Sequence, residues 1–163
     1  MHILLLVEKI IVCENTQYWI ETKEGYAFRQ IVVENDEKIE ISCRMDCLSE
    51  GVISIEELAG EIKEINFEIF EEKWNSVCES YKNEWNNDKN KYLIGMPVEG
   101  IVKYFFPQGV IVQIGKSLGV CDLQQLEKVN KGNTISNGMI ISGTVEGYNE
   151  TNMWVKIAAL PVE

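Results

Sequence analysis

Gly109-Val-Ile-Val-Gln-Ile-Gly115-Lys116-Ser117 ends the way a phosphate-binding loop ends. Such a loop cradles phosphate oxygens with backbone N–H groups, and it needs four residues between its glycines and a helix after them. Here five residues intervene and alternate as a strand does, so Lys116 reads as a hairpin-turn lysine. His2 is the only histidine, which argues against histidine triads and histidine metal clusters. Cysteines stand at 13, 43, 47, 78 and 121. Only Cys43 and Cys47 are close in sequence, and no second pair completes a tetrahedral metal site. They read as reduced thiols of a cytosolic protein, several of them buried. A cysteine nucleophile would lack its usual base. Carboxylates are plentiful but fall on an expected helix surface, where nothing raises one pKa relative to another. Asn149-Glu150-Thr151 matches a glycosylation sequon, which carries no meaning in the cytoplasm. These residues point to no enzyme, no cofactor and no metal.

The elements that would position them divide into two sets. Residues 1–92 hold 20 acidic and 10 basic residues, and residues 93–163 hold 6 and 5. The polar run from Asn86 to Lys91 lies between and reads as a linker. Two small domains are expected, an acidic α+β domain over 1–92 and an all-β domain over 93–163. In the first, residues 2–13, 18–22, 26–34 and 39–43 have strand character, joined by short turns at Lys23-Glu24-Gly25 and Asn35-Asp36-Glu37. Helical spacing follows. Ser54 and Glu57 fit a capping box, and Ile55, Leu58, Ala59, Ile62 and Ile65 recur at helical intervals. Phe70, Trp74, Val77, Tyr81 and Trp85 continue the pattern, in a second helix if the first ends at Asn66. The opposite face would carry Glu56, Glu57, Glu61, Glu64, Glu68, Glu71 and Glu72. A run of this kind is usually a solvated face. Its glutamates repel one another at three- and four-residue spacing, so an acidic surface for a basic protein is the functional alternative.

The whole chain of 163 residues carries a net charge of −11 with 45% apolar residues. That supports a packed core and disfavours general phosphate binding, which needs Lys and Arg. It favours a basic partner or simply solubility. The opening MHILLLVEKIIVC resembles a signal sequence only briefly, because Glu8 and Lys9 interrupt it and no basic residue precedes the apolar run. No stretch approaches a membrane span. Cytoplasm is the expected location.

In the second half, strands are expected at 96–106, 110–114, 118–122, 139–148 and 152–158, with a short helix or turn at 124–128. Five strands in so few residues suit a small closed barrel. Val110, Val112 and Ile114 should face inward, with Gly109, Ile111 and Gln113 outward. Gly100-Ile-Val102, Gln108-Gly109-Val-Ile-Val112, Gly119-Val-Cys-Asp-Leu123, Asn137-Gly138 with the strand to Val145, and Val155-Lys-Ile157 together resemble the S-one domain. That domain is the RNA-binding repeat first named in ribosomal protein S-one. The resemblance covers residues 93–163 and implies a five-stranded OB-fold barrel. It also implies an RNA face built from two aromatics, a histidine, an acid and an arginine. The matching positions here are Gln108, Ile111, Asp122, Asn149 and Met153, and none keeps the family's residue type.

Stacking on an aromatic is worth about 1–3 kcal/mol per base, so losing two platforms would weaken RNA binding by orders of magnitude. Displaced aromatics offer an alternative: Tyr104, Phe105 and Phe106 crowd the first barrel strand, and Tyr148 and Trp154 lie in the last hairpin. Phe105 and Phe106 point to opposite sides, so they cannot share a face. In the plainer reading one of them plugs the barrel and Trp154 closes its end. Two functions remain in view. One is a bacterial-looking interaction protein, in its sharpest form an immunity-type inhibitor of a basic nuclease toxin, using the helix glutamates and an exposed Trp85 as anchor. The other is a single-stranded RNA binder, with Lys103, Lys116, Lys128, Lys131 and Lys156 supplying phosphate contacts. Lysines clustered beside the aromatics would favour RNA, and scattered ones would not.

Overall fold

A computed structural model describes residues 6–53 and 60–161. The chain divides into two compact units between Tyr81 and Lys82, earlier than the boundary expected at 92/93. The capping pair Ser54 and Glu57, with Ile55, Glu56, Leu58 and Ala59, lies outside the described residues.

The first unit is a five-stranded sheet with a helix. Its strands are β1 (Leu6–Cys13), β2 (Thr16–Lys23), β3 (Tyr26–Glu34), β4 (Lys38–Ile41) and β5 (Glu61–Ile65). They run in the order β4-β3-β2-β1-β5, and every pairing is antiparallel. Two residues, Glu24 and Gly25, connect β2 to β3 with φ of 53° and 85°. Positive φ at both positions is the turn geometry whose twist matches a hairpin. Ile20, Ile31 and Ile41 are buried along adjacent strands. Helix α1 (Phe67–Cys78) starts at Asn66, whose Oδ1 accepts from the Ile69 N–H at 3.0 Å. It buries Phe70 and Trp74, one turn apart, and a short 3₁₀ turn, Glu79–Tyr81, follows.

One expectation is corrected by this sheet. Ile62 and Ile65 belong to strand β5, paired with β1, and not to a helix. Their i, i+3 spacing fits one helix turn equally well, but Gly60 with φ 138° precedes them, and a Cβ there would run into Val12 O. That glycine breaks the helical pattern and brings β5 close against β1.

The second unit opens with helix α2 (Lys82–Lys91), so the expected linker is helical. Its side chains fasten it to a closed barrel of β6 (Pro97–Phe106), β7 (Gly109–Ile114), β8 (Ser117–Cys121), β9 (Ile140–Asn149) and β10 (Trp154–Leu160), in the order β10-β8-β7-β6-β9. Ser117 Oγ donates to Asp88 Oδ1 at 2.6 Å, and Tyr92 OH donates to the Ile114 carbonyl at 2.8 Å. The parallel pairing of β10 with β8 closes the barrel, and the other pairings are antiparallel. Gly119 is tightly packed: a Cβ there would lie 2.5 Å from Ile157 Cδ1 and 3.1 Å from Val155 O. Helix α3 (Leu123–Val129) follows β8. Among the described residues no helix is long and apolar enough to cross a membrane.

Candidate binding face of the barrel

The pairing register decides which aromatics share a face. Tyr104 stands opposite Ile111 and Phe106 opposite Gly109, whereas Phe105 stands opposite Val110. Directly paired residues point to the same side of a sheet. Val110 and Val112 are fully buried on the inner side, so Tyr104 and Phe106 lie on the outer side with Ile111. A register irregularity between Val102 and Tyr104, at Lys103, precedes them, and bulges of this kind re-aim the side chains that follow. The Tyr104 and Phe106 rings stack with centroids 5.6 Å apart and 20° between their planes. Phe106 meets Trp154 at 6.2 Å. Three rings therefore form one row on the outer side of the barrel. Tyr104 and Phe106 are half-buried, Trp154 is 1% exposed, and Phe105 is 48% exposed on the other side.

Of the two phenylalanines expected as a plug, Phe106 is part of the outer row and not inside the barrel, whereas Phe105, opposite the inward Val110 next to the β6–β7 turn, is on the inner side and 48% exposed. Ile111 was expected to face outward, and its partner Tyr104 agrees, yet it is fully buried. An outer residue loses its solvent only when side chains lie over it, and the ring row occupies that side.

The residues standing where the S-one pattern has its RNA contacts have other tasks. Asp122 is exposed and caps α3, its Oδ1 accepting from the Gln125 N–H at 2.8 Å. Asn149 Oδ1 accepts from the Asn152 N–H at 3.0 Å and holds the turn between β9 and β10. Met153, in that turn, is buried with φ 55°. Gln108 is half-buried in the turn between β6 and β7. Tyr148 OH donates to the carbonyls of Tyr92 (2.9 Å) and Lys89 (3.3 Å), which ties β9 to the α2 segment.

Trp85 is no exposed anchor. It is 4% exposed, meets Tyr148 edge-on at 6.0 Å, and its Nε1 donates to Glu150 Oε2 at 2.7 Å. Lys89 Nζ reaches the same carboxylate at 3.1 Å. These contacts, the Trp85 hydrogen bond first, hold the Glu150 carboxyl below its ordinary pKa.

Of the five barrel lysines, Lys156 shares a strand face with Trp154. Lys116 is in the turn beyond the far end of β7, and Lys128 and Lys131 are in or after α3. Lys103 sits at the bulge itself. Burial, followed by the fields of Glu146 and Asp122, pushes the Cys121 thiol up to about 12.

The acidic face of the first unit is divided. Glu57 lies outside the described residues, while Glu61 and Glu64 are exposed on strand β5 and so do not lie on a helix. Glu68 and Glu72 are exposed on α1. Glu71 is withdrawn from the surface set, because it binds Arg29. Arg29 also grips Glu21, with Nε to Oε2 at 2.6 Å and Nη2 to Oε1 at 2.9 Å, and its guanidinium lies 5.0 Å from both the Phe70 and Trp74 rings. This buried hub was not foreseen in the sequence. Among the described residues no group of three or more His, Cys, Asp and Glu side chains could hold a metal.

The chain matches no protein-family model, no curated protein and no solved structure.

Proposed function

We propose that this is a non-enzymatic cytoplasmic binding protein, with an S-one-like OB barrel and an acidic sheet unit that recognises a basic protein. The closed five-strand barrel supports the OB reading. The observation that carries the functional reading is the charge division. Residues 1–81 hold 18 acidic and 7 basic residues, net −11, and residues 82–163 hold 8 of each. The barrel offers phosphate no net attraction, and Lys116, Lys128 and Lys131 lie on elements other than the strands that carry the aromatic row. An inhibitor of a basic nuclease is the sharpest form of this reading, since carboxylates can occupy a cleft built for phosphates.

The stacked rings of Tyr104 and Phe106 favour a second reading, single-stranded RNA held by displaced platforms. Anisotropy of a labelled mixed-sequence RNA at about 50 mM salt separates the two. The first reading expects no saturable binding. It also expects salt-sensitive retention of basic proteins on the immobilised chain, lost when Glu68→Lys and Glu72→Lys are combined. Saturable RNA binding that salt weakens and Phe106→Ala abolishes would establish the second instead.

A further inference from the structure

Phe70, Trp74 and Cys78 occupy one face of α1 at intervals of four residues. The first two are fully buried against the sheet unit, and Cys78, the last residue of the helix, continues their line at a half-buried position. Cys43 lies there, in the turn that follows β4. It is fully buried, and its turn is held by the Ser42 N–H donating to the Gln30 carbonyl at 2.9 Å and the Arg44 N–H to the Ile41 carbonyl at 3.0 Å. The Cys43 thiol is within hydrogen-bonding reach of Cys78 Sγ. The next residue along the same seam repeats the juxtaposition: the Arg44 guanidinium lies 5.5 Å from the Tyr81 ring.

We infer that Cys43 and Cys78 form a reversible disulfide when the protein meets a hydroperoxide, with Cys78 as the attacking thiol and Cys43 as the resolving one. The roles follow from the surroundings. Cys78 is partly accessible, whereas Cys43 is sealed behind it. The hydrogen bond from Cys43, and then the positive charges of Arg44 and Arg29, hold the Cys78 thiol below its ordinary pKa against the effect of burial. Burial holds Cys43 well above its own. The neighbouring thiol of Cys47 is pushed up to about 12 by burial and by Glu40 and Asp46, which makes it a poor competitor.

In the first step the Cys78 thiolate attacks the terminal oxygen of the hydroperoxide. An S–O bond forms, the O–O bond breaks, and the departing alkoxide or hydroxide takes a proton. In the second, Cys43 Sγ attacks Cys78 Sγ, the S–S bond forms, the S–O bond breaks, and hydroxide leaves with the Cys43 proton as water. Two thiols lose two electrons and the peroxide is reduced to an alcohol, or to water if it is hydrogen peroxide. The product joins the turn after β4 to the end of α1 and closes a loop that includes β5. The inference is independent of the binding partner.

The test is peptide mapping of the full reduced chain after hydrogen peroxide, digested without reductant. The expected result is loss of two hydrogen masses, a cross-linked pair of peptides containing Cys43 and Cys78, and reversal by dithiothreitol. In Cys43→Ser, dimedone should trap a sulfenic acid at Cys78, and in Cys78→Ser both the bridge and most of the labelling should vanish. A bridge to Cys47, or no intramolecular bridge in the wild-type chain, overturns the inference without depending on whether either variant folds.

Discussion

The sheet unit buries Glu21, Arg29, Gln30 and Ser42 among its apolar residues, whereas the barrel interior is lined by Val102, Val110, Val112, Val145, Val155 and Ile157. The sheet unit also carries the whole net charge, while the barrel is balanced. Partnered charges lie inside the sheet unit, whereas the barrel interior is packed by shape and its buried Asp88 is on the helix outside the barrel. Gln30 shows how the sheet unit pairs polar groups in its interior: its N–H donates to Ser42 Oγ at 3.0 Å, and its Oε1 accepts from Ser49 N and Oγ at 3.0 and 2.8 Å. Buried polar groups held in this way tolerate little change in their partners. A barrel packed from valines and isoleucines is sensitive to volume instead.

The largest expected effect tests the charged side of this contrast. Arg29→Ala strips the cation from Glu21, whose side chain is 5% exposed, and from Glu71. Breaking a buried pair by removing one partner costs about 3–5 kcal/mol. Urea denaturation should show a loss of that size, with amide-exchange protection falling in β2, β3 and α1 and persisting in β6–β10. An effect below about 1 kcal/mol, the range of exposed pairs, would show that the hub is not what holds the sheet unit together. Arg29→Met sharpens the point: it keeps much of the packing against Phe70 and Trp74, so any stability it recovers relative to Ala belongs to the rings and not to the charge.

Gly119→Val makes the matching test in the barrel. Even its Cβ would meet Ile157 Cδ1 at 2.5 Å and Val155 O at 3.1 Å. Overpacking of this kind costs about 1–3 kcal/mol. The expected outcome is a smaller loss than Arg29→Ala produces, with exchange protection now reduced in β8 and β10. Gly119→Ala should lie between wild type and Val. If both substitutions leave the urea midpoint unchanged, the barrel is looser than the valine packing implies.

The two regions also differ in how much of them can be read from the sequence. The barrel strands were legible because alternating valines and spaced glycines mark a small barrel, and all five fall near their expected positions. The sheet hub was hidden by one residue. Counting back from the Glu24-Gly25 turn, an unbroken hairpin pairs Glu21 with Phe28. A register shift between Glu21 and Thr22 pairs it with Arg29 instead. Such a slip changes which side chain faces which partner, and nothing in composition announces it. Helix α2 was concealed by its asparagines and lysines. Its signal was the i, i+3, i+7 spacing of Trp85, Asp88 and Tyr92, all of them buried. At the candidate site the aromatic crowding was legible, but its sidedness depends on the irregularity at Lys103 and required the register.

The smallest expected effect asks whether a partly exposed charge matters anywhere in the balanced unit. Glu150 accepts from Trp85 Nε1 and pairs with Lys89, but its side chain is 63% exposed, so solvent screens it. Its folded pKa lies below the ordinary 4.5. A carboxyl depressed on folding contributes stability above its unfolded pKa and loses it as pH falls through the folded one. Glu150→Gln should therefore cost only a few tenths of a kcal/mol at neutral pH, the range of exposed pairs. The gap between wild type and variant should close as pH drops below 4.5. A gap that stays constant down to the acid limit would assign the effect to the geometry of the Trp85 hydrogen bond, which glutamine disturbs at every pH, and not to the charge of Glu150.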